Sequence, residues 1–66
     1  MSQSKGWLVI SNDGNEIKTT GVADEVDGGI IAHALKEQNA TEGQIELNGH
    51  RILITTKDNS IYAVYY

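Results

Sequence analysis

Two patterns of apolar positions divide this 66-residue sequence into five strands and one helix. Short apolar or alternating runs between turn residues indicate strands, and they lie at 6–10, 16–20, 44–47, 50–56 and 61–66. One longer segment, residues 24–39, repeats its apolar positions with helical spacing. The links between the last three strands are too short for parallel crossovers. The sequence therefore predicts an α+β domain with a five-stranded antiparallel sheet and one helix, in the order β-β-α-β-β-β.

The strands differ in how much of each is buried. The first strand, Trp7 to Ile10, is apolar on both faces, which is typical of a central strand. The strand at 44–47 alternates polar and apolar residues and is expected to be half-exposed.

Asp13-Gly14 and Asn48-Gly49 are typical of tight hairpin turns. Residues 1–5 are predicted to be a short disordered lead, and 6–66 to be one domain.

The helix carries more apolar surface than one sheet requires. Asp24 is predicted to cap its first turn, with Asp27 three residues later in a capping-box-like pattern. Its apolar residues cover about half the circumference, whereas packing on one sheet needs a stripe of about 100°. They are Val26, Ile30, Ala34, Ile31 and Leu35. The surplus predicts two neighbours, the chain's own sheet and a second surface.

Gly28 and Gly29 lie within the first turns of this predicted helix. Each costs about 1 kcal/mol relative to alanine inside a helix. The pair either forms a turn or frayed start of the helix, or permits close approach of another backbone.

One helix can cover only one face of a five-stranded sheet. The strand segments 7–10, 52–54 and 61–65 place apolar side chains on the uncovered face as well. A bare apolar patch of this kind marks an interaction site or an aggregation hazard.

Composition also favours a partner. A core this small leaves a stability margin of only ~3–5 kcal/mol, which small proteins usually supplement with disulfides, a metal or a partner. The chain has no Cys, so disulfides and thiolate metal sites are excluded. Its net charge of −4, with five scattered Lys and Arg residues, disfavours binding to nucleic acid and to anionic membranes. No apolar run approaches the ~20 residues that span a bilayer, and the start lacks a signal-peptide core. A cytosolic protein that depends on a partner is predicted.

Candidate chemistry is sparse. His33 and His50 lie on different elements and lack a metal-ligand spacing. Gly28-Gly29 is not followed by the Lys-Ser/Thr pair of a phosphate loop. The carboxylates at the helix start are in an environment that favours their ionised form, which suits capping better than acid catalysis. We therefore predict no catalytic, cofactor or metal site. The alternative from a different functional class is a small ligand-binding or enzymatic domain.

The order and spacing of these segments resemble the roadblock family of small dimerising scaffold proteins, and within it the small subunits of the Ragulator complex, called EGO in yeasts. The segments that carry the resemblance are 6–11, Asp13-Gly14, Thr20-Gly21, Asp24-Glu25, 51–55 and 60–65. The resemblance spans residues 6–66 and implies a minimal roadblock/profilin-like domain.

The resemblance implies a non-catalytic scaffold subunit that forms a heterodimer with another roadblock subunit. Family members pair edge to edge through the strand after the helix, with the two helices side by side. Such subunits, wrapped by a larger scaffold subunit, hold Rag-type GTPases at the lysosomal or vacuolar membrane for amino-acid signalling to the target-of-rapamycin kinase. Membrane attachment belongs to a different, acylated subunit. Other roadblock roles, as a dynein light chain or small-GTPase regulator, are the alternatives.

Carried onto this chain, the resemblance predicts a partner interface on the helix and the following strand. The predicted helix residues are Gly28, Ile31, Leu35 and Gln38. The predicted strand residues are Gln44, Ile45, Glu46 and Leu47.

Overall fold

The structure, a computed structural model, describes residues 3–11 and 16–66 of the chain. These residues form five strands and one helix, in the order that the sequence predicts. The elements are β1 (Gly6–Ile10), β2 (Ile17–Gly21), α1 (Val26–Gln38), β3 (Glu42–Leu47), β4 (His50–Lys57) and β5 (Ser60–Tyr65). The predicted α+β class is confirmed. The predicted Asp13-Gly14 turn and the first two residues of the predicted lead lie outside the described residues.

All five strands form one antiparallel sheet in the order β2-β1-β5-β4-β3. β1 pairs with β2 on one side and β5 on the other, so the prediction of an interior first strand is confirmed. The strands β3, β4 and β5 form the predicted meander. β2 and β3 are consequently the two edges of the sheet.

β3 is longer than the alternation of its residues indicates. Glu42 and Gly43, predicted as part of a loop, pair with Thr55 and Ile54 of β4. The ladder continues one residue further, since the Thr56 amide donates a 2.8 Å hydrogen bond to the Thr41 carbonyl. Pairing with the long strand β4 therefore makes β3 longer than the segment that its own sequence pattern identifies.

The hairpin between β3 and β4 turns at Asn48-Gly49, as predicted. Both residues have positive φ, 54° and 83°, which a type I′ turn requires of its two central residues. This turn fixes the register, in which Leu47 pairs with His50 and Ile45 with Ile52.

The helix α1 begins close to the predicted position. The Asp24 carboxylate accepts a 3.1 Å hydrogen bond from the Val26 amide, as predicted for the first turn, but the N-cap position itself is occupied by Glu25, which makes no side-chain capping bond. The helix ends at Gln38, and the next residue, Asn39, closes the last turn with a left-handed backbone (φ 51°). Gly28 and Gly29 lie inside the helix rather than in a turn before it.

The core lies between α1 and one face of the sheet. Two helix side chains contribute, Ile31 and Leu35, and strands β1, β4 and β5 supply the rest. The buried strand residues are Leu8, Ile10, Ile52, Ile54, Ala63 and Tyr65. The other face of the sheet, which we call the open face, is not covered by any described element.

Replacing Gly29 with alanine is expected to raise the free energy of unfolding by about 0.5–1 kcal/mol, because alanine restricts the unfolded chain and favours the helix. A Cβ at Gly29 would meet no atom within 4 Å outside its own helix, whereas one at Gly28 would lie 3.0 Å from Ile17 Cδ1. Gly28→Ala is therefore expected to gain less. Urea denaturation followed by circular dichroism measures both changes, and a loss of stability in Gly29→Ala would contradict the expectation.

Candidate functional site

The outer edge of β3 carries backbone groups without a partner among the described residues. In a two-residue hairpin the closing pair is hydrogen-bonded, and such pairs alternate along the ladder. Leu47, Ile45 and Gly43 therefore direct their N–H and C=O groups toward β4. The corresponding groups of Glu42, Gln44 and Glu46 point away from the sheet.

The side chains of β3 divide between the two faces of the sheet. Gln44 and Glu46 are exposed on the open face, and Ile45 and Leu47 are half-buried against the core. The four strand residues predicted for the partner interface thus lie together on one free edge. Whether a partner binds there is a prediction that the chain alone does not test.

The end of α1 lies close to the start of this edge strand. Gln38, the last helix residue, is exposed, and its side-chain oxygen is 3.8 Å from the position that a Cβ would take at Gly43. Gln38 is therefore the predicted helix residue that the fold brings near β3.

The other helix residues predicted for the interface face the chain's own core. Ile31 is fully buried and Leu35 nearly so, both against the sheet. Gly28 is buried too, and its close neighbours are the side chains of Ile17 and Ile10 rather than a second protein. The prediction that these three residues contact a partner is therefore corrected: burying them against the sheet leaves them no free surface.

The surplus apolar surface of α1 lies on the opposite half of the arc. Val26 is 73% exposed and Ile30 45% exposed, although both neighbour buried positions in sequence. Val22, just before the helix, is exposed as well. The helix surface available to a partner consequently begins with Val26 and Ile30.

The open face carries an apolar patch of five side chains. Trp7, Leu53 and Tyr62 are each 40% exposed, and Val9 and Val64 between them are half-buried. These residues alternate with the core residues along β1, β4 and β5, and all of them except Leu53 line a shallow depression of about 380 Å³. The prediction of apolar side chains on the uncovered face is confirmed. Every second residue of each predicted segment lies on this face.

A buried polar pair joins α1 to β5. The Tyr65 hydroxyl donates a 2.6 Å hydrogen bond to the Asp27 carboxylate, and Asp27 is only 5% exposed. Burial of the phenol, together with this hydrogen bond and the negative charge of Asp27, raises the pKa of Tyr65. The pair therefore favours a protonated Tyr65 in the folded chain.

Asp27 corrects the capping-box prediction, because its side chain turns inward to Tyr65. The spacing of the helix contained a signal for this: Asp27 lies one turn before Ile31 and two turns before Leu35, on the buried stripe. A carboxylate on such a stripe needs a buried donor. Only the fold identifies Tyr65 as that donor.

The two histidines lie apart and have different neighbours. His33 is exposed, and its Nε2 lies 3.6 Å from Glu37 on the next turn of the helix. His50 is half-buried and contacts the Tyr66 carbonyl through Nδ1 at 3.2 Å.

Within residues 3–11 and 16–66, no three His, Asp or Glu side chains are grouped as they would be around a metal ion. In the same part of the chain, no helix is long and apolar enough to cross a membrane. A scan against protein-family models finds no match to this chain, and a search of curated proteins finds no significant one.

Proposed function

We propose that this chain is a non-catalytic scaffold subunit that pairs with another protein through the free edge of β3. The proposal is carried by one observation, the unpaired backbone edge at Glu42, Gln44 and Glu46. Edge strands are templates for further strand pairing, because their free N–H and C=O groups can extend the sheet.

β3 carries two exposed charged side chains, Glu42 and Glu46, but lacks the other features that usually prevent such pairing. Proline, bulges and inward charges blunt the edge strands of soluble proteins. β3 contains no proline and pairs with β4 residue by residue over its whole length, without a bulge. Its six residues provide three outward positions for a partner strand.

The helix supplies a second contact on the same molecule. Val26 and Ile30 expose apolar surface that the sheet does not use. The resemblance to roadblock subunits implies a partner that extends the sheet at β3 and packs beside α1. Such a partner would reach from the end of α1 at Gln38, which lies near Gly43 of β3, to its start, where Gly28 packs on Ile17 of β2.

On this basis we propose that the chain acts in a Ragulator- or EGO-like complex. Its partner would be a second roadblock-type subunit, within a larger wrapping scaffold that holds Rag-type GTPases at the lysosomal or vacuolar membrane. The chain would reach that membrane through its partners, and the assembly would serve amino-acid signalling to the target-of-rapamycin kinase.

Proline at Gln44 is expected to abolish partner binding while the chain stays folded. The substitution removes an outward N–H and leaves the bonds to β4 intact, and proline is tolerated at such edge positions. Affinity purification of the tagged chain, with quantitative mass spectrometry, should recover a roadblock-type subunit and Rag-type GTPases from wild type and lose them in Gln44→Pro.

Thr19→Pro is the matched control on the other edge of the sheet. In β2 the N–H of Thr19 also points outward, because the hydrogen-bonded pairs with β1 include Ser11 with Glu16 and alternate from there. This variant should retain the partners. Equal loss of the partners in both proline variants, or full retention of the partners in Gln44→Pro, would refute pairing at β3. Recovery of dynein intermediate chain in place of these partners would favour the dynein light-chain role.

A further inference from the structure

The apolar patch on the open face is arranged in rows that cross the sheet. The strand registers place Thr20, Trp7, Val64, Leu53 and Gln44 side by side in one row. The next row consists of Lys18, Val9, Tyr62, Thr55 and Glu42. The apolar side chains occupy the middle of the first row on β1, β5 and β4, and the middle of the second row on β1 and β5, where β4 contributes Thr55. Contiguous exposed apolar surface of this kind marks an interaction site.

Opposite charges flank the patch at the two ends of the second row. Lys18 lies on β2 and Glu42 on β3, the two edge strands. Lys18 Nζ is 3.8 Å from Glu16 Oε1, and both side chains are mostly exposed, so this ion pair contributes little. Glu42 forms no ion pair with any residue that the structure describes. Glu42 is therefore available to another molecule, and Lys18 can exchange its weak pair with Glu16 for a contact with another molecule.

We propose that the open face binds a second copy of this chain, with a two-fold axis parallel to the strands and running along β5. This rotation places β2 of one copy over β3 of the other. Lys18 then faces Glu42 of the second copy, and the same pair recurs at the other end. In the middle Val64 faces Val64, and Trp7 faces Leu53, at the ~10 Å separation of packed sheets.

The charges elsewhere on the face are compatible with this orientation. At the end of the sheet near Tyr66, Lys5 would face Arg51 of the second copy, a like-charge contact that is weakened by Glu46, which lies opposite Arg51 in the β3–β4 register. A two-fold axis across the strands would instead stack β2 on β2 and β3 on β3, so Lys18 would no longer face Glu42. Charge complementarity therefore selects the axis along β5.

This contact goes beyond the proposed function and does not depend on it. Edge pairing at β3 uses backbone groups in the plane of the sheet, whereas the open face uses side chains that project from it. Both surfaces can be occupied at once, which would give two copies of a heterodimer. The face measures roughly 20 by 20 Å from strand spacing and length, which buries roughly 800 Å² in total, so we expect a weak dimer that is populated only at the upper end of the concentration range tested.

Sedimentation equilibrium of the purified chain between 5 and 500 μM tests the proposal. Wild type should form a dimer, and Lys18→Glu or Glu42→Lys alone should weaken it about tenfold, since each change sets two like-charge contacts in place of two attractive ones. An equimolar mixture of the two variants should restore association, because every Lys–Glu pair is re-formed between unlike chains. Lys36→Glu and Glu37→Lys are the matched controls, because they make the same two charge changes at exposed positions of the helix. Alone and mixed, they should associate as wild type does.

Several results would overturn the proposal. A monomer at 500 μM, single variants that associate as their helix controls do, or a mixture that restores nothing would each exclude the face-to-face dimer. Gln44→Pro separates the two surfaces. If Gln44→Pro abolishes self-association and Lys18→Glu leaves it unchanged, the contact runs through the β3 edge. If self-association survives Gln44→Pro, the open face is supported, even when the proposed β3 partner is never recovered.

Discussion

Ile31→Ala is expected to destabilise the chain by about 2–5 kcal/mol, which equals or exceeds the ~3–5 kcal/mol margin of a domain this small. Ile31 is fully buried between α1 and the sheet, and removing its side chain leaves a cavity in a core built from few residues. We expect the variant to be largely unfolded in isolation. Circular dichroism and urea denaturation measure the loss.

The neighbouring Ile30 is the matched control. Its side chain is the same but 45% exposed, so Ile30→Ala should change the free energy of unfolding by less than about 1 kcal/mol. Similar losses at both positions would contradict the orientation of α1. The pair also separates folding from binding, because only Ile30 lies on the helix surface that we assign to a partner.

Tyr65→Phe is expected to lower the free energy of unfolding by about 1–3 kcal/mol, because it removes the hydroxyl that donates to the buried Asp27 carboxylate. The ring and its packing are kept, so the loss reports on the hydrogen bond. Tyr62→Phe, whose ring lies on the open face, should change stability little. Equal effects of the two substitutions in urea denaturation would argue against the buried pair.

The same pair predicts a dependence of stability on alkaline pH. Tyr65 has a raised pKa in the folded chain, so above pH 10 the unfolded chain releases a phenol proton that the folded chain retains. The folded state then binds more protons than the unfolded state, and stability falls as the pH rises. Below pH 10 this contribution is fully present.

Melting temperatures between pH 7 and 11 measure this effect. The wild-type value should decline above pH 10, and Tyr65→Phe, which has no phenol at this position, should decline less steeply. A parallel decline of the two proteins would show that Tyr65 does not contribute.

Local sequence predicted most of the secondary structure for identifiable reasons. Asn48-Gly49 tolerates the two positive φ angles of the tightest hairpin, and its position fixed the meander. The continuous apolar run of β1 indicated an interior strand, which the sheet order confirms. The start of β3 was missed because Glu42 and Gly43 carry no strand pattern of their own, and they are extended only because β4 provides partners.

The candidate interface was predicted in part. The β3 residues lie on a free edge, as the resemblance implied, and Gln38 lies near them. The helix face was assigned incorrectly, since Ile31 and Leu35 pack on the sheet. An apolar arc of half a circumference contains two possible stripes, and helical spacing alone does not distinguish them.

The sequence by itself determined that this protein has one helix with surplus apolar surface and a sheet too wide for that helix to cover. Tertiary structure decided which half of the helix is buried, that Asp27 meets Tyr65, and that Lys18 and Glu42 share a row across the open face. The reason is physical: periodicity is a property of neighbouring residues, whereas burial and pairing depend on contacts between residues far apart in the chain. Tyr65 lies 38 residues from Asp27, and no local pattern connects them.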